Sequence, residues 1–283
     1  MSVSSYAWML PPLAMCLVLG GIHGYLGIHV LSRKVIFVDL ALAQIAALGA
    51  VCANLLGYDV EHSPAAVYLV SLAFTFLGAG LFAWTRLRRQ AVPQEALIGI
   101  SYATASAIAL MLLAKAPGES EHIKTMLAGN ILLVTWPAVA ETTGIYAMVG
   151  VFHFAFRRPF LEISQDPAAA MSAGRNVRVW DFFFYATFGV VITSSVAVAG
   201  VLLVFSFLVV PAVIAFLYSE RLNARLAIAW CVAGAASLIG IVLSYSADMP
   251  MAPSVVVSLA AILLVAGAAR LVTSSSRDRK SVV

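Results

Sequence analysis

The sequence predicts an all-α, polytopic integral membrane helix bundle of about nine transmembrane helices. Three observations carry this: an apolar excess, evenly spaced apolar runs between charges, and basic residues that fall on alternate loops. Of 283 residues, 62% are hydrophobic and only 11% charged, and the mean hydropathy is +0.98. Soluble globular chains carry about 25% charged and about 45–50% apolar residues, so this composition excludes an ordinary soluble enzyme, a disordered tail and a nucleic-acid module. Each span takes roughly 20 apolar residues, which leaves no room for a sizeable soluble domain. The organisation expected is a single transmembrane domain over 1–272, containing a cytoplasmic loop at 157–181, and a short basic tail at 273–283.

In chain order, the first apolar run covers 8–31. No Lys or Arg precedes Arg33, so the run lacks the basic start of a cleavable signal peptide and is expected to stay as a helix. Further spans follow at 35–56, 65–84, 95–114 and 132–156. The stretch 182–219 then holds 38 residues without a formal charge. One helix of that length, at ~1.5 Å per residue, would far exceed a bilayer core of ~30 Å. Two short helices fit better, with a break in 193–200 and the second at 201–218, followed by spans at 226–246 and 252–269. An eight-span map with one short helix re-entrant is the alternative.

Basic residues test the map, because cytoplasmic loops collect Lys and Arg. One set of alternate loops, with the tail, holds Arg33 and Lys34; Arg86, Arg88 and Arg89; Arg157, Arg158, Arg175 and Arg178; Arg221 and Arg225; and Arg270, Arg277, Arg279 and Lys280. Of all Lys and Arg, only Lys115 and Lys124 fall on the other side, beside Asp59, Glu61, Glu119, Glu121 and Asp248. The N-terminus is therefore expected outside and the C-terminus in the cytoplasm.

Small residues recur at three- and four-residue spacings, Gly20, Gly24 and Gly27 in one span and Ala43, Ala47 and Ala50 in the next, which puts them on one face for close helix packing. Pro211 inside a span removes one helical hydrogen bond; it marks either a packing kink or a hinge beside a gate. The three cysteines, Cys16, Cys52 and Cys231, lie in apolar runs and form no C-x-x-C pair, so they read as packing residues.

Ionisable residues inside a membrane usually face a bundle interior or a pathway. Here they are His23 and His29 on the first span, Asp39 on the second, and Glu141 and His153 on the fifth. His23, Asp39 and Gln44 together offer nitrogen and oxygen donors to a divalent cation. The plainer readings are a hydrogen-bonded interior histidine for His23 and, for Asp39, a carboxylate that snorkels or binds Arg33 or Lys34. His29 and His153 read as interfacial, and Glu141 as a residue within three turns of the outer surface with a pathway role in view. Outside, His62 beside Glu61 and His122 beside Glu121 are weak metal-capturing pairs or solvated loop residues.

The cytoplasmic loop contains a helix with legible ends. In the run Gln165, Asp166, Pro167, Ala168, Ala169, Ala170, Met171, Ser172, Ala173 and Gly174, Asp166 suits the N-cap, Pro167 the first helical position and Gly174 the left-handed stop. Two turns of helix are unstable alone in water, so something must dock on it: its own bundle, the lipid surface, or a cytoplasmic partner. The phosphate-binding loop G-x-x-x-x-G-K-[ST] is absent, as are H-E-x-x-H and G-x-S-x-G, so the chain is not expected to hydrolyse nucleotide or peptide through them.

Six segments together resemble the metal-ion permease family of ATP-binding-cassette importers, membrane subunits that work with a manganese-, zinc- or iron-binding extracellular protein. They are 33–39 (Arg-Lys-Val-Ile-Phe-Val-Asp), 95–100 (Glu-Ala-Leu-Ile-Gly-Ile), 126–132 (Met-Leu-Ala-Gly-Asn-Ile-Leu), Asp166 with Pro167, 200–204 with 209–212, and 248–253 (Asp-Met-Pro-Met-Ala-Pro). The resemblance runs nearly end to end. It implies a type II ABC-importer-like fold in a bacterial plasma membrane and a homodimer with a central pathway. It further implies a separate cytoplasmic ATPase dimer that alone binds ATP, and an extracellular or periplasmic metal-binding protein. The loop 163–178 would be the coupling helix. Members commonly carry a carboxylate on the second span and a histidine four residues later as pathway ligands. Here Asp39 is followed by Ala43, and alignment on Gly49 puts Gln44 where the histidine would stand.

The function expected is the permease subunit of an importer of divalent transition-metal ions, zinc ahead of manganese, with no tightly bound cofactor and no nucleic-acid partner. One alternative is an ion-coupled secondary carrier using Asp39, Glu141 and His23; its class often shows two similar halves, and no convincing internal repeat is present. Another keeps the importer and changes the cargo to a metal chelate or small cofactor.

Overall fold

A computed structural model describes residues 8–58, 62–86, 92–113 and 131–280, with side chains of the last helix described to Val272. Its helices are α1 (Leu10–Arg33), α2 (Val38–Leu55), α3 (Pro64–Thr85), α4 (Gln94–Leu113), α5 (Trp136–Ala155), α6 (Arg157–Gln165), α7 (Pro167–Ser172), α8 (Val177–Ala199), α9 (Val201–Tyr218), α10 (Leu222–Ala247) and α11 (Met251–Lys280). A single 3-10 turn, Ile131–Leu133, precedes α5. Among the described residues there is no strand, and nine helices, all but α6 and α7, are long and apolar enough to cross a bilayer.

Helix ends follow local chemistry. Pro64 and Pro167 occupy the first helical positions of α3 and α7, where the missing N–H has no intrahelical partner to lose. Gly200, at φ 77°, separates α8 from α9, as a residue without Cβ can. The expected pair of helices in 182–219 is present, but the first is not short: α8 begins at Val177 and carries Asp181 inside it, because that charge is neutralised rather than exposed at an end. The loop 157–181 holds two short helices, α6 and α7, where one was expected. The last helix runs past 269 to Lys280.

The chain forms two compact units. The first comprises the chain to Leu31, residues 131–140, and everything from Leu202 onward. There α1 lies close to α9 and α10: a Cβ at Gly20 would come within 2.7 Å of Ala233 Cβ, one at Gly24 within 3.3 Å of Ala229 Cβ, and one at Gly27 would overlap the Leu208 carbonyl. The glycine face expected on the first span is thus a packing face. α11 packs on α10 and on the 3-10 turn, with Val255 2.5 Å from where a Gly240 Cβ would be.

The second unit comprises 32–130 and 141–201, in which α2 packs on α3, α4 and α8, and α3 on α8. Ala43, Ala47 and Ala50 are buried here as expected. Gly49 admits the Ser71 backbone, and Gly189 receives the Thr75 side chain. Thr75 Oγ1 hydrogen-bonds both the Ser71 carbonyl at 2.8 Å and Thr193 Oγ1 at 3.1 Å.

Candidate functional site

Two features of the second unit bear on function: its basic end, and the polar residues along its spans. At the basic end, α1 finishes at Arg33, whose side chain is buried. Arg33 Nη1 donates to Asp181 Oδ1 at 2.5 Å, Nε donates to Ser164 Oγ at 2.8 Å, and the guanidinium lies 4.0 Å from the Phe184 ring centroid. Arg86, just past α3, adds Nη1 contacts of 2.8 and 2.7 Å to the two oxygens of the same carboxylate. One buried carboxylate on α8 therefore pairs with two guanidiniums, leaving one net positive charge, and joins the ends of α1 and α3. Ser164 brings α6 into the same network.

A second carboxylate sets the start of α2. Glu95, in the first turn of α4, accepts from the Ile36 amide at 3.1 Å and the Phe37 amide at 3.0 Å. These amides open α2, where no intrahelical acceptor exists. Beneath it, Gln94 Nε2 donates to the Phe82 carbonyl and to the Tyr185 hydroxyl, both at 3.1 Å.

Helix α7 stands beside this network. Asp166 caps it, accepting from Ala168 N at 3.0 Å and Ala169 N at 2.9 Å; Pro167 opens it and Gly174 takes φ 83°. All three end signals are realised. Ala170 is buried with Ile163 and Val177, and Met171 and Trp180 pack on that cluster. The opposite face exposes Gln165, Asp166, Ala168 and Ala169, and Gly174 is exposed as well. Helix α6 is anchored by Phe160, which stacks on His153 at 4.3 Å and meets Trp180 edge-on at 5.5 Å. The short helix thus docks on its own bundle through one face and leaves the other open.

The candidate pathway residues divide. Asp39 is 2% exposed in the first turn of α2, and its Oδ1 has no hydrogen-bond partner among the described residues. Its expected partner Arg33 is engaged by Asp181 instead. Gln44 is half-buried on the same helix, but five residues at ~3.6 per turn place it about 140° round from Asp39; position 43 is the one that shares Asp39's face. Glu141 is exposed on α5. His23 belongs to the first unit, fully buried, with Nδ1 2.8 Å from the Leu19 carbonyl. Pro211 lies buried within an uninterrupted α9. His29 and His153, expected at the interface, are both 1% exposed. The correction has a clear cause for His153, whose Nε2 meets Thr187 Oγ1 at 2.8 Å. Among the described residues no three His, Cys, Asp or Glu are grouped closely enough to hold a metal ion. Glu61, Glu121, His122 and the greater part of 126–132 lie outside the described residues.

Sequence reasoning missed Arg33, Arg86, Asp181, Ser164 and Glu95 as a connected set. The available signal was Asp181 itself, an acid flanked by aromatics at the edge of a long uncharged stretch.

Among the described residues, nine helices long and apolar enough to cross a bilayer, with buried charges among them, define a multi-span membrane protein. The chain belongs to the ABC 3 transport family, whose model matches residues 5–270. The resemblance to permeases of ATP-binding-cassette importers is thereby borne out, and the ion-coupled secondary carrier is set aside. Among relatives, the manganese transport system membrane protein MntC of Halalkalibacterium halodurans is 24% identical over 252 residues, covering 89% of this chain and 84% of its own. The manganese import system permease protein ScaB of Streptococcus parasanguinis is 22% identical, covering 89% and 87%. A probable iron transport system membrane protein of Haemophilus influenzae is 27% identical over 62% of this chain and 64% of its own. Among solved structures, PsaBC from Streptococcus pneumoniae in complex with Fab superposes with a TM-score of 0.75, at 21% identity over 93% of this chain and 92% of that one.

Proposed function

We propose that this chain is the transmembrane permease subunit of an ATP-driven importer of a divalent first-row transition metal, with manganese as the leading cargo. The carrying observation is Asp39, a buried carboxylate with an unpaired oxygen on the second span of a transport-family bundle. Zinc, ranked first from the sequence alone, gives way for two reasons. Relatives at similar coverage are named for manganese and one shorter match for iron. An acidic oxygen with Ala43 rather than an imidazole on its face is the harder donor set, which suits manganese over zinc.

A conducting path between two copies accounts for Glu141: a carboxylate exposed laterally on a span is costly in lipid, and a partner protomer or a water-filled path removes that cost. The open face of α7 is the coupling surface for a separate ATPase dimer, an extracellular or periplasmic binding protein delivers the ion, and the basic end faces the cytoplasm of a bacterial plasma membrane, N-terminus outside and C-terminus inside.

The test is uptake of labelled manganese into proteoliposomes containing the permease with its ATPase and binding protein. Asp39→Asn is expected to cut uptake at least tenfold with the complex still monodisperse; normal uptake removes Asp39 from the pathway. A second reading, chelate import, has support in a 25% identical relative named as a chelated iron transport system membrane protein. Competition by a manganese chelate stronger than by free manganese favours it.

A further inference from the structure

Beside α7 the second unit contains a cavity of about 950 Å³. Five of its lining residues are basic, Arg33, Lys34, Arg86, Arg175 and Arg178, against one acidic residue, Glu95; the Arg33 side chain itself is buried behind the wall. The nearby carboxylates are already committed. Asp181 is shared between Arg33 and Arg86, Glu162 accepts from Arg175 Nε at 2.9 Å, and Glu95 holds two backbone amides. Five cations against three carboxylates leave two positive charges uncompensated. Lys34 and Arg178 are exposed and have no acceptor among the described residues. Arg33 is 7% exposed, and its Nη2 is buried without a hydrogen-bond partner. A buried guanidinium nitrogen left bare is costly. Lys34 is also held at φ 57°, a conformation that L side chains rarely adopt and that collects at functional sites.

We infer that this cavity binds a phosphate-bearing anion, held by Lys34 and Arg178 at its exposed side, with the positive charge of the buried Arg33 behind them. A phosphate group carries one to two negative charges at neutral pH and matches guanidinium donors bidentately, which fits the charge deficit and the open Arg178 guanidinium. The same chemistry comes from two sources, an anionic phospholipid headgroup or soluble phosphate. Pro167, Ala168 and Met171 of α7 share the lining, so the bound anion touches the helix offered to the ATPase.

The test uses the full chain in phosphatidylcholine nanodiscs, unfolding followed by tryptophan fluorescence. Inorganic phosphate is titrated against chloride at equal ionic strength, and a second series replaces part of the phosphatidylcholine with phosphatidylglycerol. Either series is expected to raise Tm saturably by about 2–6 °C. A response to phosphate identifies the soluble source and a response to phosphatidylglycerol the headgroup. The double variant Lys34→Gln/Arg178→Gln changes two exposed side chains and so keeps the fold; it should lose the rise, whereas Arg158→Gln, exposed and outside the cavity, should keep it. No rise in either series, as when a docking protein's carboxylate is the true partner, overturns the inference. So does a rise undiminished in the double variant.

Discussion

Replacing Asp181 with Asn tests the buried network most directly. The Asp181 side chain is 0% exposed and accepts from two guanidiniums, one of them on a fully buried side chain. Asn keeps the volume and one acceptor oxygen but removes the charge and turns an N–H₂ donor toward the guanidiniums. Breaking a buried pair from one side costs about 3–5 kcal/mol. The Arg86 side chain is 10% exposed but stands just past the end of α3, a short way from water, which brings the expectation to the lower end, about 3 kcal/mol. For a chain of this size that lowers Tm by about 6–12 °C, read as loss of the monodisperse peak on heating in detergent. Because Arg33 is the partner that cannot escape, Arg33→Met combined with Asp181→Asn should be more stable than the sum of the single changes by at least ~1 kcal/mol. A drop under 2 °C for Asp181→Asn, or additivity in the cycle, refutes the claim that this carboxylate holds the two arginines.

Four further substitutions separate packing from capping. Gly27→Ala forces a methyl onto the Leu208 carbonyl; backbone cannot yield as a side-chain tip does, and overpacking of about 1–3 kcal/mol should appear as a lower Tm, while Gly21→Ala, with open space around it and helix propensity in favour of alanine, should not lower it. Glu95→Gln leaves one acceptor for two amides, so α2 should lose about 1–3 kcal/mol and exchange backbone hydrogen faster at its first turn. Asp166→Ala removes both cap bonds of α7 at about 1 kcal/mol, too little to unfold the bundle but enough to fray six residues, so ATPase co-purification should weaken while Tm stays within 2 °C.

What the sequence discloses depends on how local the physics is. Nine spans are legible because hydropathy is summed over neighbours, and α7 because Asp166, Pro167 and Gly174 act within one turn. The small-residue faces are legible because helical spacing predicts them. Arg33 and Asp181 lie 148 residues apart, and nothing near either names the other. Asp181 reads as the end of an uncharged stretch, whereas it sits inside α8 because two arginines compensate it. Glu95 reads as an ordinary first-turn acid, which the helix dipole favours in any case, so its second task on the Ile36 and Phe37 amides is hidden. The histidines mislead for the opposite reason. Near a predicted span end, His153 resembles an interfacial residue, and only the packing of Phe160 and Thr187 makes it interior. The proposed pathway donors stay partly illegible because alignment moves one residue, Gln44 or Ala43, onto the expected position, and only helical rotation decides which shares a face with Asp39.

The same network supplies a mechanical argument. Helix α7 has six residues and cannot resist a push by itself. Its buried side rests on Ile163 and Val177, and Ser164, next to Ile163, binds Arg33. Arg33 is fixed through Asp181 to α8 and to Arg86 after α3, while Glu95 grips the segment between Arg33 and Asp39 from α4. A displacement of α7 therefore acts on the buried Arg33 and, through five residues of chain clamped by Glu95, on the first turn of α2, where the unpaired Asp39 oxygen sits. Charged contacts suit this transmission better than single apolar ones because each is larger: at an effective dielectric of about 20 a shift of about 1 Å changes an ion pair by roughly 1 kcal/mol, whereas one dispersion contact is worth only about 0.1–0.2 kcal/mol in all.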